Sequence, residues 1–138
     1  MSLLLTEPLR LKPHTIAFLQ RTIRNKQFDE ATEAIRRSHK TAARKNPKSL
    51  MLLGPSGAGK STLVNTYRIT FPDVFKEDRT ERPIIYVSLQ SCVTPKDILS
   101  ALLDACGDPE SGKGTSSSLF RRFKGLADSL KVELIIID

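Results

Sequence analysis

The sequence predicts an α/β fold, a parallel sheet covered by helices on both faces and preceded by N-terminal helices. Three observations carry this expectation. After residue 49, short continuously apolar runs alternate with segments of helical periodicity, the pattern of parallel strands buried on both faces. The first run passes at once into a glycine-rich turn and then a helix. Before residue 49 only helical patterning is present. The chain therefore divides into a basic helical segment, 1–48, and an α/β segment, 49–138.

The elements follow in order. Ile16, Leu19 and Ile23 stand at helical spacing after Pro13, which suits a first turn, and place a helix over 13–25. A second helix is expected from Phe28 to Lys45, with a thin apolar stripe of Phe28, Ala31, Ile35 and Ala42. Its acids lie early and its bases late, as the helix dipole favours, and Asn46-Pro47 ends it. Ser49 to Leu53 reads as a buried parallel strand, and a helix over 59–69 follows the turn. Residues 73–82 read as a charged loop, and Ile84 to Leu89 as a second buried strand. Thr94-Pro95-Lys96-Asp97 is a capping box that opens a third helix, with Gly107 at its C-terminal end. A helix over 116–131 sets Leu119, Phe123, Leu126 and Leu130 on one face. It leads into a third apolar strand, Val132 to Ile137, before Asp138.

Composition narrows the class. With 39% hydrophobic and 27% charged residues, the 138-residue chain is of globular type. Its longest apolar runs are too short to cross a bilayer, and Met1 to Leu5 lacks the basic start of a signal peptide. A cytoplasmic protein is expected. Cys92 and Cys106 have no ligand-like neighbours, and His14 and His39 stand on separate helices, so neither a zinc module nor a disulfide framework is indicated. The net charge of +7 is uneven: residues 1–49 carry eleven Lys/Arg against four Asp/Glu, and the remainder carries eleven of each. Such asymmetry fits a polyanion partner, nucleic acid above all, or a solvated basic face.

One motif carries chemistry. Gly54-Pro55-Ser56-Gly57-Ala58-Gly59-Lys60-Ser61 matches the phosphate-binding loop G-x-x-x-x-G-K-[ST], with an apolar run before it and a helix after it. A triphosphate is held by successive backbone amides in one concavity, capped by a helix N-terminus, and the glycines let that backbone curl and approach. In this pattern Lys60 meets the β- and γ-phosphates, Ser61 ligates Mg²⁺, and Thr62 adds an amide and a hydroxyl near the α-phosphate. Asp138, at the C-terminal end of an apolar strand, is the expected second Mg²⁺ group; its alternative is a plain strand terminus. ATP and Mg²⁺ are thus the expected ligands, with Lys60 and Asp138 as catalytic groups. Gly107 to Gly114 mimics a second phosphate loop, but follows a helix and lacks the closing hydroxyl, so it reads as a surface loop.

Beyond single motifs, the chain resembles the AAA+ transposition ATPases of the TniB/TnsC type. The matching stretches are GPSGAGKST, RPIIYVSLQSCVTPKDILSALL and KGTSSSLFRRFKGLADSLKVELIIID, which together cover roughly residues 28–138. The resemblance implies a P-loop NTPase of the AAA+ kind that binds ATP, forms a ring or filament of identical subunits on double-stranded DNA, and recruits or activates a transposase. It also implies that Lys96 and Thr115 face the DNA backbone, as their places at helix N-termini allow; helix capping plus an exposed lysine is the plainer alternative. The family continues past the Asp138 strand with a glutamate, a sensor strand, an arginine finger and a helical lid. The sensor strand lies between the phosphate-loop strand and the Asp138 strand. The chain is therefore expected to be a core truncated after the Walker B strand, able to bind nucleotide weakly and not to hydrolyse it competently.

Other readings compete. A replication initiator of the origin-recognition kind shares parts of these motifs. A small-molecule kinase would share the loop but needs an arginine-bearing lid, and no such cluster follows residue 107. A non-catalytic DNA-binding module would use the basic helices and keep the loop only as a relic.

Overall fold

The computed structural model describes residues 25–89 and 94–138. The expected helix over 13–25, His14 and Cys92 lie outside the described residues. The elements are α1 (Lys26–His39), α2 (Lys60–Ile69), β1 (Val74–Phe75), β2 (Thr80–Glu81), β3 (Ile84–Val87), α3 (Pro95–Ala105), α4 (Ser116–Ser129) and β4 (Leu134–Ile137). Among them no helix is long and apolar enough to cross a membrane.

β3 and β4 pair in parallel, from Ile84 opposite Leu134 to Val87 opposite Ile137. Side chains alternate across such a pair, so each strand sends residues to two different cores. Through Ile85 and Val87, one face packs on Leu102, Leu103 and Cys106 at α3 and on Leu119 and Phe123 of α4. Through Ile84, with Leu134 and Ile136, the other face packs on Ile35 of α1 and on Leu63 and Tyr67 of α2. Burial of the Cys106 thiol raises its pKa, which leaves it a small apolar filler.

The expected first strand is not formed. Residues 49–53 have no ladder partner, and Leu50, Met51 and Leu53 are exposed, Leu53 at 85%. Only Leu52 turns in, onto the Ile35 cluster. The reason is spatial. A cavity of about 620 Å³, lined by Leu50, Leu52, Ile135 and Ile137 among others, separates this run from β4. A strand must sit about 4.8 Å from its neighbour to exchange hydrogen bonds. The same opening leaves Ile135 and Ile137 at 40% and 53% exposure, so β4 is covered on one face rather than two.

Three other elements differ from expectation. α1 stops at His39, not Lys45. The Thr41 hydroxyl donates to the Ser38 carbonyl and accepts the Lys48 amide, which turns the chain back early. The charged loop contains a two-residue antiparallel hairpin, β1 with β2, where Lys76 and Arg79 converge on Glu81 and depress its pKa through their hydrogen bonds. α4 ends at Ser129, capped by Leu130, and places Lys131 at φ 56°, a left-handed position usually given to glycine. The capping box at Thr94 is formed as expected. Asp97 accepts from the Thr94 amide at 2.8 Å, the bond that does most to lower its pKa. α3 closes with Gly107 at φ 85°, its amide on the Asp104 carbonyl and the Asp108 amide on that of Leu103.

Candidate nucleotide site

The Gly54 to Gly59 loop takes its shape from two glycines. Gly57 and Gly59 lie at φ 78° and 84°, where a Cβ is disfavoured, and Gly59 serves as the N-cap of α2. Gly54 has no such need in this conformation. A Cβ there would meet only ordinary contacts, at 3.6 Å from the Ala58 Cβ. The loop closes through the Ala58 amide on the Pro55 carbonyl, and Gly54, Pro55, Ser56, Gly57 and Ala58 are all exposed.

α2 starts at Lys60, so the amides of Lys60, Ser61 and Thr62 occupy its first turn, where no intrahelical acceptor exists. The Lys60 ammonium donates to the carbonyls of Gly54 and Pro55, 2.8 Å each, which holds a positive charge against the loop. Thr62 is exposed on the same turn. Together these groups offer an anion free amides, a helix dipole and an ammonium.

Asp138 comes to this turn from 77 residues away. The Ser61 hydroxyl donates to its Oδ2 at 3.0 Å. Both are hard oxygen donors of the sort Mg²⁺ takes, and both are exposed, so the pair suits the ion. Tyr86 donates to the same Oδ2 at 2.8 Å. That bond, with the carboxylate's charge, raises the Tyr86 pKa and keeps the phenol a donor. The Arg68 guanidinium sits over the Tyr86 ring, 4.7 Å from its centre. Neither Tyr86 nor Arg68 was indicated by a motif. The signal available was strand alternation, which puts Tyr86 on the same side as Ile84, the face that α2 covers.

His39, for which the sequence indicates no metal role, is a buried hydrogen-bonding link. It is buried between α1, α2 and the approach to β4. Nε2 lies 3.0 Å from the Glu133 carboxylate and Nδ1 2.9 Å from the Tyr67 hydroxyl; in the neutral tautomer that suits a carboxylate, Nε2–H donates to Glu133 and Nδ1 accepts from Tyr67. Phe71 packs edge-on at 4.7 Å. Burial raises the Tyr67 pKa, so the phenol stays protonated and able to donate. α1 is thereby tied to the helix that carries Lys60 and Ser61. Among the described residues no cluster of three or more His, Cys, Asp or Glu could hold a metal ion.

The two remaining candidates stand away from the loop in sequence. Lys96 is exposed at the second position of α3, and its partner candidate Thr115 is the N-cap of α4, accepting the Ser118 amide at 3.3 Å. The mimic loop between them is a surface loop, braced by Arg122, by Asp108 accepting the Glu110 amide and by the Lys113–Glu110 pair. Arg122 donates to Asp108 and to the carbonyls of Glu110 and Lys113, and its guanidinium lowers the Asp108 pKa.

No curated protein matches the chain significantly. A family model described as Bacterial TniB protein matches residues 15–138, which include the loop, Asp138 and both helix starts. The chain belongs to the TniB family, and so to the proteins associated with transposition.

Proposed function

We propose that this chain is the ATP-binding part of a AAA+ regulator of transposition. In this reading 49–138 is the P-loop nucleotide-binding segment and 1–48 a basic helical segment. The assembled protein forms a ring or filament on double-stranded DNA and recruits or activates a transposase. The observation that carries the nucleotide reading is the meeting of Ser61 and Asp138 at the first turn after the Gly54 to Gly59 loop. A glycine-rich turn of purely structural use has no reason to draw an acid from the far end of the chain to its serine.

Each group then has a task. Lys60 carries the charge that attracts the β- and γ-phosphates, and the first-turn amides of α2 receive phosphate oxygens. Ser61 and Asp138 hold Mg²⁺, which neutralises phosphate charge when bound. Lys96 and Thr115 meet DNA phosphates, a contact independent of base sequence and weakened by salt. The basic excess of 1–49 adds to that attraction.

Binding of a fluorescent ATP analogue, in Mg²⁺, by the wild type and by Lys60→Ala tests the first half. Lys60→Ala should lose at least tenfold in affinity, and equal binding by the two proteins would refute the site. Co-sedimentation with duplex DNA over a salt series tests the second. Lys96→Ala should weaken binding to all sequences alike and reduce the slope of log K against log salt by about one. An unchanged slope removes Lys96 from the interface.

A further inference from the structure

Three elements meet at one carboxylate oxygen. Asp138 Oδ2 receives the Ser61 hydroxyl from α2 and the Tyr86 hydroxyl from β3, while Asp138 itself follows β4. The two bonds differ in kind. Ser61 is a first-turn hydroxyl assigned above to Mg²⁺, whereas Tyr86 belongs to a strand and has no group to offer the loop. Its ring is half-buried, lies on the α2 face of the sheet and carries the Arg68 guanidinium above it. Arg68 stands seven residues after Ser61, two turns along the same helix, so one helix supplies both the serine and the cation that covers the tyrosine. Asp138 is exposed, and an exposed carboxylate without such a hold would sample several rotamers.

We propose that Tyr86 is a positioning residue for the metal carboxylate, its phenol fixed beneath Arg68 and holding Asp138 Oδ2 towards Ser61 before any cation arrives. The inference rests on the nucleotide-binding reading, and deepens it by naming what orients the acid. Tyr86 touches neither phosphate nor metal. It acts through Asp138, in the way that partners of metal-ligating carboxylates set their orientation.

The test separates metal dependence from nucleotide binding as such. The fluorescent ATP analogue is titrated onto wild type, Tyr86→Phe, Tyr86→Leu and Lys60→Ala, first in EDTA and then over a Mg²⁺ series. Tyr86→Phe keeps the ring under Arg68 and removes only the hydroxyl. It should bind the analogue as wild type does in EDTA, while the Mg²⁺ concentration giving half of the metal-dependent gain rises about tenfold. Tyr86→Leu should show at least the same rise. An unchanged Mg²⁺ midpoint for Tyr86→Phe, with wild type binding and Lys60→Ala not, overturns the positioning role and leaves the nucleotide reading standing. Equal losses with and without Mg²⁺ also overturn it, because the hydroxyl would then support the fold rather than the acid. If wild type itself binds no analogue, the nucleotide reading and this inference fall together.

Discussion

Replacing His39 with alanine removes the only side chain that joins α1, α2 and the start of β4 by hydrogen bonds among the described residues. The size of the effect can be worked from its contacts. The Tyr67 hydroxyl, on a residue only 4% exposed, loses its acceptor and is left buried and unsatisfied, about 1–3 kcal/mol. The edge-on packing against Phe71 and Tyr67 adds about 0.5–1.5 kcal/mol. Glu133 is half exposed and rehydrates, so its share is small, about 0–1 kcal/mol. The expected loss is therefore about 1.5–5.5 kcal/mol, read as a shift in urea midpoint at constant m. In a chain of this size it lowers Tm by about 3 °C per kcal/mol. A double-mutant cycle isolates the hydroxyl's share. Tyr67→Phe in the His39→Ala background removes the orphaned hydroxyl, so the double variant should be more stable than the sum of the singles by about 1 kcal/mol or more. A single-variant loss below about 0.5 kcal/mol, or additive singles, would refute the bond scheme drawn for His39.

Gly114→Ala should destabilise, since Gly114 sits at φ 120° and an added Cβ would collide with the Ser118 hydroxyl; a melting temperature equal to wild type counts against this. Lys131→Gly should do the reverse of the usual glycine substitution and stabilise by about 0.5–1 kcal/mol, because it relieves a left-handed lysine at φ 56°. Thr94→Ala should cost about 1 kcal/mol in urea unfolding through loss of the α3 capping box. The Asp108–Arg122 pair sets a pH dependence with a definite sign. The folded pKa of Asp108 lies below its unfolded value, so its stabilisation is complete above the unfolded pKa and is lost as pH falls through the folded one. The stability gap between wild type and Asp108→Asn should therefore be constant above about pH 5 and shrink towards pH 2, and a gap independent of pH would exclude this linkage.

What could be read from the sequence was local, and what could not was relational. The capping box at Thr94, the glycine end of α3 and the glycine turn that opens α2 each lie within a few residues of chain, where spacing alone expresses the local structure. The partners of His39 are 28 and 94 residues away, and no periodicity connects them. Leu50 to Leu53 failed in the opposite sense. Its composition is that of a buried strand, but burial needs a neighbour, and the described chain supplies none within hydrogen-bonding distance. Arg122 shows the same divide: it reads as one more surface base on α4, yet it holds the loop that ends in Gly114 and Thr115.

The register of β3 against β4 is the hinge between fold and site. Ile84, Tyr86 and, across the pair, Leu134, Ile136 and then Asp138 fall on the face that α2 covers, because side chains alternate strictly along both strands. A slip of β4 by one residue would exchange this set for Ile135 and Ile137 and send Asp138 to the far face, away from Ser61. Packing of Leu134 and Ile136 on the α2 face opposes such a slip, whereas Ile135 and Ile137 add little hold, because they are exposed and the free edge of the strand borders a cavity. Hydrogen bonds at the two ends of the pair add to this hold. At one end the amides of Glu133 and Leu134 donate to the Pro83 carbonyl. At the other the Asp138 amide donates to Val87, the Leu89 amide donates to Asp138, and the Tyr86 hydroxyl reaches the Asp138 side chain. The bond that orients the acid thus also belongs to the clamp that keeps its strand in register, which is why the Tyr86 test must read Mg²⁺ dependence and metal-free binding separately.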